Sequence, residues 1–129
     1  MSRKSRGINA ERDLIHKFNE NEWVAFRAAG SGSMKYACPD IIAGNNLRKI
    51  AIEVKLTTEE KKYFTKEEIK DLVFFANRFG AEAWVAVKFF REDWLFLTIE
   101  DLEETPKNYV ADLKVAKRRG LSFEELIKA

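Results

Sequence analysis

Residues 39–55 read PDIIAGNNLRKIAIEVK. Two apolar runs, Ile41-Ile42-Ala43 and Ile50-Ala51-Ile52, have the composition of interior strands, and the turn Gly44-Asn45-Asn46 between them is a hairpin signal. Set into those strands are Asp40, Glu53 and Lys55. An ionisable group in an interior strand is tolerated when it pairs or holds a metal. Such groups gather where a protein uses them.

Side chains alternate faces along a strand, so Ile50, Ile52, Val54 and Leu56 point one way and Ala51, Glu53 and Lys55 the other. Glu53 and Lys55 are then neighbours, roughly 6.5–7 Å apart from a rise of about 3.3 Å per residue. The hairpin brings Asp40 within reach of both. Two converging carboxylates suit a hard cation such as Mg²⁺, which takes oxygen ligands and keeps several waters. The backbone carbonyl of Val54 is a natural further ligand. Lys55 would orient or help deprotonate an attacking water, or stabilise charge on a phosphate; together these groups suit phosphodiester cleavage. Glu-x-Lys on a polar strand face also arises by chance, so the spacing alone is a weak signal.

Working outward, Ile8, Leu14, Ile15 and Phe18 recur at helical spacing and predict a first helix over about Ile8–Asn21. Glu11 falls on that inward stripe. It has two readings of equal weight: a share in a metal with Asp40 and Glu53, or a salt bridge, for example with Arg27. Arg12 and the basic residues before the helix sit near the same place and suit phosphate. A strand follows at Trp23–Ala28, then the loop Gly30-Ser31-Gly32-Ser33-Met34-Lys35-Tyr36. Beyond the hairpin, Thr65 with Glu68 makes a capping box for a second helix ending near Gly80. Glu82–Phe90 and Trp94–Ile99 read as strands. Pro106 precedes a tail, Tyr109–Ala129, in which Ser122 and Glu125 mark a short capped helix. The order predicts an α/β chain, bordering on α+β, with a central mixed five-stranded sheet flanked by helices.

At 129 residues the length suits one domain, and 46% hydrophobic residues support a packed core. No run approaches the roughly 20 apolar residues of a membrane span. The basic start MSRKSRG is not followed by an apolar segment, so no signal peptide is expected. Cys38 is the sole cysteine, which excludes an intrachain disulfide and fits a reducing, cytoplasmic setting. Net charge is only +2, yet the positive residues cluster: Arg3, Lys4 and Arg6; Lys61 and Lys62; Lys117, Arg118 and Arg119. Clusters of this kind bind phosphate or simply solvate a surface.

Glu11-Arg12, Arg27 followed by Ala28-Ala29-Gly30-Ser31-Gly32-Ser33, Pro39-Asp40-Ile41-Ile42-Ala43 and Ile52-Glu53-Val54-Lys55 together resemble the archaeal Holliday junction resolvases of the Hjc type, within the PD-(D/E)xK nuclease superfamily. Tyr109-Val110-Ala111-Asp112 and Leu121–Leu126 are similar to that family's C-terminal pattern, so the likeness covers most of the chain. It implies a restriction-endonuclease-like fold and a homodimeric endonuclease that cuts four-way DNA junctions with symmetric nicks. It also implies Mg²⁺, with Mn²⁺ able to substitute. By position, Asp40 and Glu53 would bind metal, Lys55 would serve the attacking water and Glu11 would complete the acidic cluster. Arg12 and Arg27 would contact phosphate or anchor the site. Ser31 would lie in a loop beside the scissile bond, with Ser33 competing for that role. Arg3, Lys4, Arg6, Ser33 and Lys35 are further candidate DNA contacts.

Other readings are weaker. The Gly30–Ser33 loop lacks the Gly-Lys-Ser/Thr ending of a nucleotide-binding loop and opens no helix, so no nucleotide cofactor is expected. His16 lies on the outer face of the first helix. Cys38 reads as a small near-core residue, and Trp23, Trp84 and Trp94 as core. A catalytically silent DNA-binding domain, and a nuclease for linear or flap DNA, are the competing functions. For a homodimer, the second helix turns Ile69, Leu72, Val73, Ala76 and Phe79 inward and leaves Phe74 outside, where it joins Phe75, Phe89 or Phe90 in an apolar patch.

Overall fold

The two apolar runs around Gly44-Asn45-Asn46 form a hairpin between β2 (Ile41–Gly44) and β3 (Lys49–Thr57). The two strands are antiparallel, with Ile41 facing Ile52 and Gly44 facing Lys49. Asn45 closes the turn: its Oδ1 accepts from the amides of Leu47 and Arg48, both at 2.8 Å. An Asn side chain that binds the backbone two residues on is what favours it in turns.

The structure is a computed structural model describing residues 3–28 and 36–129, with side chains from Arg6 onward. The remaining elements are α1 (Arg3–Glu20), β1 (Val24–Arg27), β4 (Lys61–Thr65), α2 (Lys66–Phe79), β5 (Glu82–Phe89), β6 (Leu95–Leu97), a 3₁₀ turn (Ile99–Asp101), β7 (Glu103–Glu104), β8 (Asn108–Asp112), α3 (Leu113–Arg119) and α4 (Phe123–Lys128). A five-stranded sheet has the order β1-β2-β3-β5-β6, so the expected five-stranded α/β arrangement is present. A three-stranded sheet, β4-β8-β7, was not expected from the sequence. The chain gathers into two compact units, one drawn from Met1–Val54 and Asp71–Ala83, the other from Lys55–Lys70 and Trp84–Ala129.

In the first unit α1 packs on β1 and β2. Its inward Leu14 and Phe18 are fully buried, as the periodicity requires, and Phe18 meets Trp23 at 5.6 Å between ring centroids. The helix begins at Arg3 rather than near Ile8. Residues 3–7, expected as a basic segment ahead of the helix, are its first turns. Polar residues such as Arg and Lys have good helix propensity but leave no apolar period to read. Arg48 binds Glu82 through two bonds of 2.8 Å and lies over the Trp23 ring. Gly80, at φ +79°, ends α2 in the left-handed conformation that glycine allows.

In the second unit, β4 and β7 each pair antiparallel with β8, and β5 with β6. The Ser122–Glu125 capping box forms as expected and starts α4. Asp112 caps α3 by accepting from Lys114 and Val115 amides. Leu121 bridges to Phe96, and Phe96 meets Phe123.

Three further expectations need correction. Cys38 is exposed, not near-core. Phe89 is 1% exposed and therefore core, since it is the last inward residue of β5; it joins no surface patch. Phe79, expected inward, is exposed at the last residue of α2, where its ring stacks on Phe75 at 5.2 Å. The three tryptophans are buried as read. Among the described residues no helix is long and apolar enough to cross a membrane.

Candidate active site

The paired register of β2 and β3 ends at Ile41–Ile52, and Asp40 stands just outside that end of the ladder. Backbone bonds secure that end of the ladder: Asp40 donates to the Ile52 carbonyl at 3.0 Å and accepts from the Ala28 amide at 3.0 Å. The Asp40 side chain turns to the end of the strand, where Oδ2 accepts from the Val54 amide at 2.8 Å. One carboxylate oxygen is thereby fixed in a partly buried position by a group that needs an acceptor. That bond ties Asp40 to the residue that follows Glu53 in β3.

Glu11 reaches the same neighbourhood from α1. Its side chain is only 14% exposed, and Oε2 stands 3.9 Å from Nε of Arg27. Burial pushes the Glu11 carboxyl above the ordinary glutamate value, the charge of Asp40 pushes it further, and Arg27 offsets part of the rise. The thiol of Cys38 is also raised, by partial burial and then by the charges of Asp40 and Glu53. Glu11 thus has the Arg27 contact of the salt-bridge reading and also feels the carboxylate of the metal reading. The negative field of Asp40 raises both the Glu11 and Cys38 groups, and that of Glu53 raises Cys38.

That field is what a hard cation requires, and the oxygen donors fit Mg²⁺ in kind. Among the described residues, however, no group of three or more His, Cys, Asp or Glu side chains is arranged to hold a metal. Glu11, Asp40 and Glu53 therefore form no ready three-carboxylate cage. The pair Asp40 and Glu53 remains, and one or two carboxylates are enough for a cation that retains its waters.

Lys55 lies two residues beyond Glu53 in β3, on the same face by alternation. Its Nζ pairs with Oε2 of Glu68. Burial raises the Glu68 carboxyl, but the Lys55 hydrogen bond, bonds from Thr65 and the lysine's charge outweigh it, leaving Glu68 below the ordinary value. The sequence reading used Glu68 only as a helix cap and missed this second contact. No local spacing links a lysine on β3 to the first turn of α2.

Arg6 and Arg12 are exposed on α1, and Arg27 is 57% exposed on β1, so all three can meet a solvent-borne phosphate. The side chains of Arg3 and Lys4, and the expected loop residues Ser31, Ser33 and Lys35, lie outside the described residues. His16 is exposed, as read. Of the expected dimer residues, Phe74 is 50% exposed with the Arg78 guanidinium over its ring at 4.7 Å; Phe75 is half-buried and Phe90 exposed.

The family model described as archaeal Holliday junction resolvase (Hjc) matches residues 2–129. The chain is 42% identical over 129 residues to a crossover junction endodeoxyribonuclease Hjc of Archaeoglobus fulgidus, with 95% of each chain covered. A protein of the same name from Sulfolobus acidocaldarius is 35% identical, covering 99% of this chain and 90% of that one. Among solved structures, Archaeoglobus fulgidus Hjc, described as a Holliday junction resolvase from an archaeal hyperthermophile, matches with a TM-score of 0.87 over 93% of this chain and 98% of its own.

Proposed function

The chain belongs to the archaeal Holliday junction resolvase family, and from that premise we propose that it is a crossover junction endodeoxyribonuclease, resolving four-way DNA junctions by paired symmetric nicks. The observation that supports the reading is the Asp40 carboxylate bonded at 2.8 Å to the amide of Val54, next in the chain to Glu53. The charges of both acids are felt at Cys38, and Lys55 lies two residues beyond Glu53 along the same strand. A pure DNA binder gains nothing from acids that face phosphate.

Asp40, Glu53 and the carbonyl of Val54 would hold Mg²⁺, or Mn²⁺ in its place. When bound, the cation polarises the scissile phosphate and makes water a stronger nucleophile at neutral pH. Asp40 is presented for this by its bond from the Val54 amide. Glu11 adds negative charge beside it and keeps Arg27 turned toward the site. Lys55 orients the attacking water or receives charge from the phosphate. Arg3, Lys4, Arg6, Arg12, Arg27, Ser33 and Lys35 would bind the DNA backbone, and Ser31 is the candidate to act at the scissile bond. Residues 1–129 act as one nuclease domain, in keeping with a family match that spans 2–129. The enzyme works as a homodimer without a nucleotide cofactor.

Asp40→Asn and Glu53→Gln test the core of this proposal. Each should lower junction cleavage by at least about 100-fold, the scale of several kcal/mol that a Lewis acid supplies. Junction affinity should stay level or rise, because a charge that repels phosphate is gone. Full activity in either variant removes that residue from the site.

A further inference from the structure

Lysine places a compact charge on a flexible four-carbon stem, so its strand position alone does not fix its ammonium group. Here the ammonium of Lys55 has a carboxylate partner, Oε2 of Glu68. That carboxylate is itself held. Its other oxygen, Oε1, accepts from the Thr65 amide at 2.9 Å, while the Glu68 amide donates to Thr65 Oγ1 at 3.0 Å. Each oxygen of Glu68 has a separate task, and the side chain cannot swing away from Lys55 without dropping the bond that starts α2.

We propose that Glu68 is a positioning residue for Lys55, a capping glutamate that also fixes the ammonium group of the lysine serving the attacking water. The inference rests on the catalytic reading of Lys55 given above. The two side chains are 27% and 29% exposed, a setting in which an isolated ion pair adds little to stability. A pair tethered through a helix cap has a different effect: it selects one lysine rotamer. The lowered Glu68 carboxyl agrees, since both the lysine and the Thr65 bonds favour its charged form. Misplacing a group by about 1 Å costs on the order of 100-fold in rate.

The test compares Glu68→Gln, Thr65→Ala and Lys55→Ala with the native enzyme in Mg²⁺ on a synthetic four-way junction. Single-turnover cleavage at saturating enzyme, junction Kd and Tm are measured separately. Gln still serves the capping box but lacks the charge that holds Lys55. Glu68→Gln should slow cleavage by about 10-fold or more while Kd stays within about twofold. Thr65→Ala, which removes the cap and keeps the charge, should lower Tm more and cleavage less. A native rate in Glu68→Gln with an inactive Lys55→Ala overturns the positioning role. Equal rate losses in Glu68→Gln and Thr65→Ala reduce Glu68 to a cap and overturn it as well. A native rate in Lys55→Ala instead removes the reading of Lys55 on which the inference stands.

Discussion

At the residue scale, Glu11 and Glu68 depart from ordinary glutamates in opposite directions, and the signs have consequences for stability. The Glu11 carboxyl is raised, by burial first and then by Asp40, so folding favours its protonated form. Its contribution is fully present below the ordinary glutamate range and is lost as pH rises through the raised value. Glu11→Gln, which mimics the neutral form, should therefore raise Tm in metal-free buffer at neutral pH, and the gain should vanish in acid. The Arg27 contact it gives up is long, at 3.9 Å, and open to solvent on the arginine side, hence weak. Glu68 is lowered, so its contribution is present above the ordinary range and lost as pH falls through the lowered value. Glu68→Gln should lower Tm at neutral pH and approach the native value in acid. Thermal melts across pH check both; a Glu11→Gln variant that melts below the native protein at neutral pH contradicts the assignment.

At the element scale, what was legible in the sequence was local. The β2–β3 hairpin announces itself through Gly44-Asn45-Asn46 and two apolar runs, and its antiparallel register follows, with Asp40 and Glu53 just beyond the paired end. The capping boxes at Thr65–Glu68 and Ser122–Glu125 read correctly for the same reason. The β4-β8-β7 sheet did not. Only Phe64 is buried in β4, its lysines look like a solvated cluster, and β7 is two exposed glutamates. Such strands exist through pairing with β8, which no short window records. Glu68 as partner of Lys55 escaped similarly, because the contact joins different elements. The turn after α3 carries its own prediction. Gly120 has φ −71°, open to any residue, but a Cβ there would stand 2.5 Å from the Ala116 carbonyl oxygen and 3.1 Å from Leu97 Cδ2. Glycine is present for space, so that Leu121 can bridge Phe96. Gly120→Ala should cost about 1–3 kcal/mol, as overpacking does, and lower Tm by several degrees; an unchanged melt would show that the turn yields freely.

At the scale of the whole molecule, two nicks related by a junction's two-fold symmetry are supplied most simply by a C₂ dimer. With Phe89 in the core, the apolar candidates on α2 are Phe74 and Phe75, and Phe79 enlarges that surface. Phe74→Asp should shift the protein toward monomer and reduce paired cleavage more than single-strand nicking. Light scattering that finds a dimer intact in that variant would move the interface away from this face of α2. The central claim, that this chain hydrolyses junction DNA through Asp40, Glu53 and a divalent cation, is tested most directly by one cleavage assay. A synthetic four-way junction is set beside a linear duplex of identical arms, each with Mg²⁺ and with chelator. The account predicts paired symmetric nicks in the junction, only with Mg²⁺, and an intact duplex; equal cutting of the duplex, or cleavage that persists in chelator, would contradict it.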